Sequence, residues 1–326
     1  MYDFTILILE GAYPTSVAVS IDMLSAAATL APRLGAVPPT WRLCSVDGLP
    51  TALRDSMSVS TTRLPRRSAA DASVWVVPGL GVENPAAFEA RFAQPDARTA
   101  VAAIRKHVAA GGSAAASCSG VFLLQAAGML AGRRATTAWW LAPALKRVEP
   151  ACKVDADRMV CADGPLITAG AAFGQTDLML HLIRMRCGSA LADAVSRVLL
   201  IDGRQAQASY MVPEVFSIGD DLVGRLAARI EAMLPQVPTV GALAQEFCMS
   251  ERTLSRHIRK VTGKSTLALV HSVKHRRARV LLESSRLNVE QVAAAVGYQD
   301  ATALRRLMRK VAGANPSRFR PAVASP

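Results

Sequence analysis

Residues 250–263 and 300–313 carry one pattern twice. At an offset of fifty, Ser250 pairs with Asp300, Leu254 with Leu304, Arg256 with Arg306, Ile258 with Met308, Arg259 with Arg309, Val261 with Val311 and Gly263 with Gly313. Ser and Asp are helix N-caps and Gly is a common stop, so each copy reads as a capped helix of about a dozen residues. A shorter apolar helix precedes each, Val240 to Phe247 and Val289 to Val296, followed by a brief break. That is helix-turn-helix punctuation, repeated.

The two long helices share a division of faces. Leu254, Ile258 and Val261 lie on one side of the first, and Leu304, Met308 and Val311 on one side of the second. The other sides carry Arg252, Thr253, Ser255, Arg256 and Arg259, and then Ala301, Thr302, Arg305, Arg306 and Arg309. A guanidinium fork matches guanine O6 and N7 in the major groove, and hydroxyls bond bases or phosphates. One Arg-rich stripe is an ordinary solvated face; two in register are the arrangement of a double-stranded DNA reader. The helix between them, Thr266 to Glu283, spans about 27 Å at 1.5 Å per residue, near the roughly 34 Å repeat of major-groove faces.

Charge supports the division. Residues 1–224 hold 20 Lys+Arg and 19 Asp+Glu, whereas 225–326 hold the other 18 and 6 of the chain's 38 and 25. A nearly neutral body is joined to a basic one, which points to a nucleic acid partner. The apolar helix faces are needed for a core, so a membrane is not the expected partner. The uncharged run 108–132 is diluted by Gly111, Gly112, Ser113, Ser117, Ser119, Gln125 and Gly128 and reads as strand, turn and helix. Met1-Tyr2-Asp3 lacks the basic start of a signal peptide, so a cytoplasmic protein is expected. Six cysteines without a CxxC pair suggest neither a disulfide framework nor a metal site, and no cofactor is expected.

Residues 1–204 alternate apolar runs with helical patterns, as βαβ units do. Strands are predicted at Thr5 to Leu9, Trp41 to Val46, Val74 to Val77, Ser113 to Ser117 and Leu166 to Ala169, and helices at Ser16 to Ala31, Pro85 to Ala110, Ser119 to Ala131, Phe173 to Arg186 and Ala190 to Ile201. Residues 205–218 have no sustained period and read as a linker to an all-α domain over 219–326.

The run Leu243-Ala244, Ser250, Leu254, Arg256, Thr262-Gly263, Ala278, Leu281-Leu282, Val292-Ala293, Gly297-Tyr298, Arg306, Gly313, Pro316-Ser317 and Phe319-Arg320 resembles the DNA-binding domain of AraC/XylS regulators. It departs at Ser265-Thr266 where Ser-Pro is usual, at Lys274-His275 where Arg-Leu is usual, and at Leu304 and Met308 where phenylalanines are usual. The first domain resembles the ThiJ/PfpI, or class I glutamine amidotransferase-like, fold. The carrying residues are Val76-Val77-Pro78-Gly79, Ser117-Cys118-Ser119-Gly120, Ala126 to Arg133, Ala135-Thr136-Thr137 with Trp139, Thr168-Ala169-Gly170 and Asp177-Leu178. The resemblance implies a flavodoxin-like α/β domain, a mostly parallel sheet with helices on both faces, that senses an effector and dimerises.

In enzymes of that fold the elbow cysteine is assisted by a histidine and an acid. Here the histidine position after Thr136-Thr137 is Ala138 and the acidic position is Ser16, so Cys118 reads as a degenerate nucleophile and the domain as a non-enzyme. His107 and His181 read as ordinary helix residues. Candidate ligand-binding residues at the carboxyl ends of the strands are Glu10, Tyr13, Gly79, Cys118, Ser119, Trp139 and Trp140. The resemblance implies a small-molecule effector of amino-acid or quaternary-ammonium type and a homodimer, for which the apolar helix Leu178 to Met185 is the candidate face. The expected function is a sequence-specific transcription regulator, taken as an activator. The alternative is a cysteine-dependent hydrolase, amidase or glyoxalase-like enzyme with a basic DNA-associating tail, and a third reading is redox sensing by Cys118.

Overall fold

Side chains in a strand alternate between faces, and the apolar strands here are apolar on both. The strands are β1 (Phe4–Leu7), β2 (Trp41–Ser45), β3 (Thr51–Ala52), β4 (Ser58–Val59), β5 (Thr62–Arg63), β6 (Val74–Val77), β7 (Ser113–Ser117), β8 (Arg134–Ala135), β9 (Lys153–Val154), β10 (Val160–Asp163) and β11 (Leu166–Ala169). Seven form one sheet in the order β10-β11-β7-β6-β1-β2-β5, parallel except for β10, which runs antiparallel to β11. Phe4, Ile6, Val74, Val76, Ala115 and Ile167 enter one core, and Leu7, Trp75, Val77, Ala114, Ala116 and Leu166 the other.

Helices cover both faces. On the first lie α1 (Pro14–Leu30), α6 (Gly174–Cys187) and α7 (Ser189–Val198), through residues such as Met23, Leu24, Leu178, Ile183 and Leu191. On the second lie α2 (Pro85–Phe92), α3 (Pro95–Ala109), α4 (Val121–Ala126) and α5 (Ala142–Val148), through Phe88, Ile104, Phe122, Leu124 and Leu145. This is the expected α/β arrangement, in a computed structural model that describes residues 2–65, 72–82, 85–201, 204, 207, 221–262, 265–312 and 315–319. The chain divides into two compact units, Met1–Arg204 and Gln205–Pro326. The expected linker, apart from Gln207, and the stop residues Gly263 and Gly313 lie outside the described residues.

Several boundaries differ from expectation. The helix predicted over Pro85 to Ala110 is two, because Pro95 takes the first position of α3, where its missing N–H and fixed φ favour a helix start. The helix predicted from Ser119 to Ala131 stops at Ala126, where the Met129 N–H turns back to the Leu124 carbonyl. Helix α5 and the strands β3, β4, β5, β8, β9 and β10 have too few residues to show a period. Most apolar residues of Leu178 to Met185 are used within the domain: Leu178, Met179, Leu182 and Ile183 are buried against the sheet, α1 and α7, and Met185 is the one left exposed, which is too little for the apolar face expected for a second copy. Pro14–Leu34 is long and apolar enough to cross a membrane by composition, but Val17, Met23, Leu24 and Ala27 pack into the core.

The second unit is helical, with α8 (Asp221–Ala232), α9 (Val240–Glu246), α10 (Glu251–Thr262), α11 (Thr266–Ser284), α12 (Val289–Ala295) and α13 (Ala301–Ala312). Side-chain caps start five of them. Thr239, Ser250, Ser265 and Asp300 accept from the backbone N–H three residues on, at 3.2, 3.1, 3.2 and 2.7 Å. Asn288 forms a reciprocal capping box with Gln291.

Candidate DNA interface and candidate effector site

Leu254 and Ile258 on α10, and Leu304 and Met308 on α13, are fully buried, which turns the opposite faces outward. Arg252, Thr253, Arg256 and Arg259 are exposed on α10, and Thr302, Arg306 and Arg309 on α13. Ser255 is half-buried, its Oγ 3.2 Å from Thr266 Oγ1. Arg305 is half-buried and 3.5 Å from Glu290, and Arg309 Nε donates to Asn315 Oδ1 at 2.7 Å. Ala301 departs from its expected place among the DNA contacts. It is only 6% exposed, because residues 301, 304 and 308 share one helix face and that face is the inner one.

Apart from Glu290, which lies against Arg305, several acids of the unit are committed elsewhere. Glu246 pairs with Arg229 at 2.5 Å, Glu231 with Arg276 at 2.6 Å and Glu283 with Arg279 at 2.5 Å, while Asp300 caps α13. Arg252, Arg256 and Arg306 make no ion pair among the described residues. Two guanidinium-bearing helices therefore flank a connecting helix of 19 residues, about 28 Å long.

In the first unit, β7 ends in a sharp elbow. Cys118 sits in the left-handed region at φ 52°. Its N–H donates to the Gly170 carbonyl at 2.7 Å, and its carbonyl accepts from Thr137 Oγ1 at 2.7 Å. The elbow needs Gly120, where a Cβ would stand 2.7 Å from the Pro78 carbonyl oxygen. Ser119 Oγ donates to the Leu80 carbonyl. Gly79 lies where a Cβ would be 3.1 Å from Cys118 Cβ and 3.2 Å from Tyr13 Cδ2, and Tyr13 Oη accepts from Arg54 Nη1 at 3.2 Å. Tyr13, Gly79, Cys118 and Ser119 are thus one cluster, and the thiol is 2% exposed.

Trp140 packs against the same apolar core as Cys118 and Tyr13, whereas the Glu10 side chain is turned elsewhere. Glu10 is exposed and lines a separate cleft of about 550 Å³ with Asp47 and Asp96 at the carboxyl ends of β1 and β2. Hydrogen bonds from the Leu49 N–H and Ser45 Oγ hold the Asp47 carboxyl below the ordinary range. Burial pushes Asp96 up, but its ion pair with Arg91 at 2.6 Å outweighs this and holds it low. Trp139 and Trp140 pack edge to face at 5.6 Å.

Ala138 and Ser16 are fully buried, and Ser16 Oγ donates to the Ala172 carbonyl at 3.3 Å. His107 stacks on Trp75 at 4.3 Å and its Nε2 lies 3.1 Å from the Ser113 carbonyl oxygen, at the amino end of β7 opposite the elbow. His181 is on α6, on the other face of the sheet, its imidazole pushed down by burial and by Arg184. Among the described residues no three His, Cys, Asp or Glu side chains converge as metal ligands do. What sequence reasoning passed over is a polar cluster of the second unit around Lys274, His271 and Tyr298.

The DJ-1/PfpI family matches residues 56–185, and a helix-turn-helix domain matches residues 243–322. The HTH-type transcriptional regulator CdhR of Pseudomonas aeruginosa is 27% identical over 98% of this chain and 91% of its own length. The HTH-type transcriptional regulator GlxA of Rhizobium meliloti is 29% identical over 60% of this chain and 62% of its own. Among solved structures, an AraC family transcriptional regulator from Pseudomonas putida shares the first unit's fold, with a TM-score of 0.51, 21% identity, and coverage of 61% of this chain and all of that one.

Proposed function

As a DNA-binding transcription regulator of AraC type with a DJ-1/PfpI domain, the chain, we propose, reads a specific duplex sequence through α10 and α13 under control of a small molecule held by a first domain that performs no chemistry. The observation that carries the DNA reading is the pair of capped helices, each with its apolar face buried and with arginines on the other, of which Arg252, Arg256 and Arg306 make no ion pair among the described residues. Phosphate contacts by Arg259 and Arg309 position the protein, and Arg252, Arg256 and Arg306 reach base edges.

Catalytic inactivity is supported by Ala138 and Ser16 at the positions where a histidine and an acid would be expected, since a thiolate without a base and an orienting group turns over poorly. The retained left-handed backbone at Cys118, a conformation that costs about 1–2 kcal/mol, favours a surviving binding role there. The acidic lining of the Glu10 cleft favours a cationic effector of amino-acid or quaternary-ammonium type. A cytoplasmic homodimer and activation of transcription complete the reading.

Purified protein is incubated with sheared genomic DNA of its host at moderate salt, and the retained fragments are sequenced. Sharp enrichment of a few sites is expected, and transcription from them should rise with the protein present. Uniform retention contradicts sequence-specific reading. Turnover that disappears in Cys118→Ser would favour the hydrolase alternative instead.

A further inference from the structure

The second unit holds two apolar cores. Leu226, Leu243, Leu254, Ile258, Leu269 and Val273 belong to the first, and Ala278, Leu282, Val292, Val296, Leu304 and Met308 to the second. Helix α11 serves both, through Val273 on one side and from Ala278 on the other. Between those positions stand three basic residues, Lys274, Arg276 and Arg277, around the buried His275. Each helix-turn-helix has its own hydrophobic interior, and the joint between them is polar.

Specific contacts close that joint. Lys274 Nζ donates to the Gly297 carbonyl at 3.0 Å and lies over the Tyr298 ring, 4.7 Å from its centroid. One turn earlier on α11, His271 Nδ1 is 3.1 Å from Tyr298 Oη. Burial pushes the Tyr298 phenol up to about 12, so it keeps its proton. Gly297, at φ 75°, lies so close to the segment before α9 that a Cβ would stand 2.1 Å from the Pro235 carbonyl oxygen. The turn between α12 and α13 is thus held to α11 by two side chains and abuts the first half.

We propose that Lys274 and Tyr298 are positioning residues that fix the second helix-turn-helix against the first and so set the half-site spacing the protein accepts. The proposal rests on the reading that α10 and α13 both enter DNA. One inserted base pair moves the second half-site by about 3.4 Å and about 35°. Hydrogen bonds of 3.0 and 3.1 Å do not survive a displacement of that size. With the bonds removed and both cores intact, α13 can follow the displaced groove.

The test uses the full chain and a genomic fragment that it selects, with the two contacted half-sites located by footprinting and then separated by one inserted base pair. Wild type, Lys274→Met, Tyr298→Phe and the double variant are compared, with thermal unfolding as the check on folding. Wild type should lose about tenfold or more in affinity on insertion, and the double variant less than about threefold. Tyr298→Phe, which loses one hydroxyl, should move the penalty in the same direction even if Lys274→Met folds poorly. Equal penalties in wild type and variants overturn the proposal, as does a wild type indifferent to the insertion. Retention of DNA without sequence preference overturns the regulator reading instead.

Discussion

His275 makes the stability of the DNA-binding unit depend on pH in a calculable way. Its ring is 2% exposed on α11, stacks edge to face with Phe319 at 6.4 Å, and leaves Nε2 without a hydrogen-bond partner among the described residues. Burial, with a smaller contribution from the Arg279 charge, pushes the imidazole down from 6.5 to about 4. Below pH 6.5 the unfolded chain takes up a proton that the folded helix refuses until about pH 4. The unfolded state then binds more protons, so stability falls as pH drops through that window and is level above it. At about 1.4 kcal/mol per pH unit, the loss between pH 6.5 and 5 is about 2 kcal/mol. Hydrogen exchange of peptides covering Leu269 to Leu282 reads the local opening free energy. Comparison with His275→Leu at each pH cancels the pH dependence of exchange itself. Wild type should weaken by about 2 kcal/mol relative to the variant across that window. Parallel behaviour, with a relative change under about 0.5 kcal/mol, would refute the argument from burial.

Arg252→Ala or Arg306→Ala should cost about 1–3 kcal/mol and relax base preference at one position; an unchanged consensus in selection from random DNA rejects the assignment of that arginine. Gly297→Ala should cost about 3 kcal/mol or more, combining a left-handed backbone at φ 75° with collision against the Pro235 carbonyl. A loss below about 1 kcal/mol in exchange of the same peptides contradicts that close approach. Arg204→Met should destabilise the first unit by about 3 kcal/mol, since it removes the partner, 2.6 Å away, of the Asp177 carboxyl. That carboxyl has only 3% of its side chain exposed, and burial raises it even beside Arg204. Urea unfolding followed by tryptophan fluorescence reports it, because all four tryptophans lie in that unit, and an unchanged midpoint counts against it.

Much of this architecture is legible before any coordinates. The fifty-residue repeat places α10 and α13 with their caps, since caps and apolar faces are local properties. Strands β6, β7 and β11 fall on the predicted residues because each is a short apolar run between turn signals. What a pattern cannot say is which neighbour covers an apolar face. Leu178 to Met185 therefore reads as a surface for another copy, although its apolar residues up to Ile183 are already covered within the domain. Ala301 is an avoidable misplacement, because its spacing to Leu304 and Met308 puts it on the inner face. All four members of the elbow cluster, Tyr13, Gly79, Cys118 and Ser119, are legible in the sequence, whereas Glu10, expected beside them, lines a different cleft just past β1. The joint at Lys274 and Tyr298 shows in sequence only as a polar interruption of α11, and the role proposed for it rests on the separation of the two cores.

Methylation interference on a selected genomic fragment tests the two-helix account most directly. Two clusters of contacted guanines, about ten base pairs apart on one face of the duplex, are predicted for α10 and α13 acting together. A single cluster for each bound chain would contradict it.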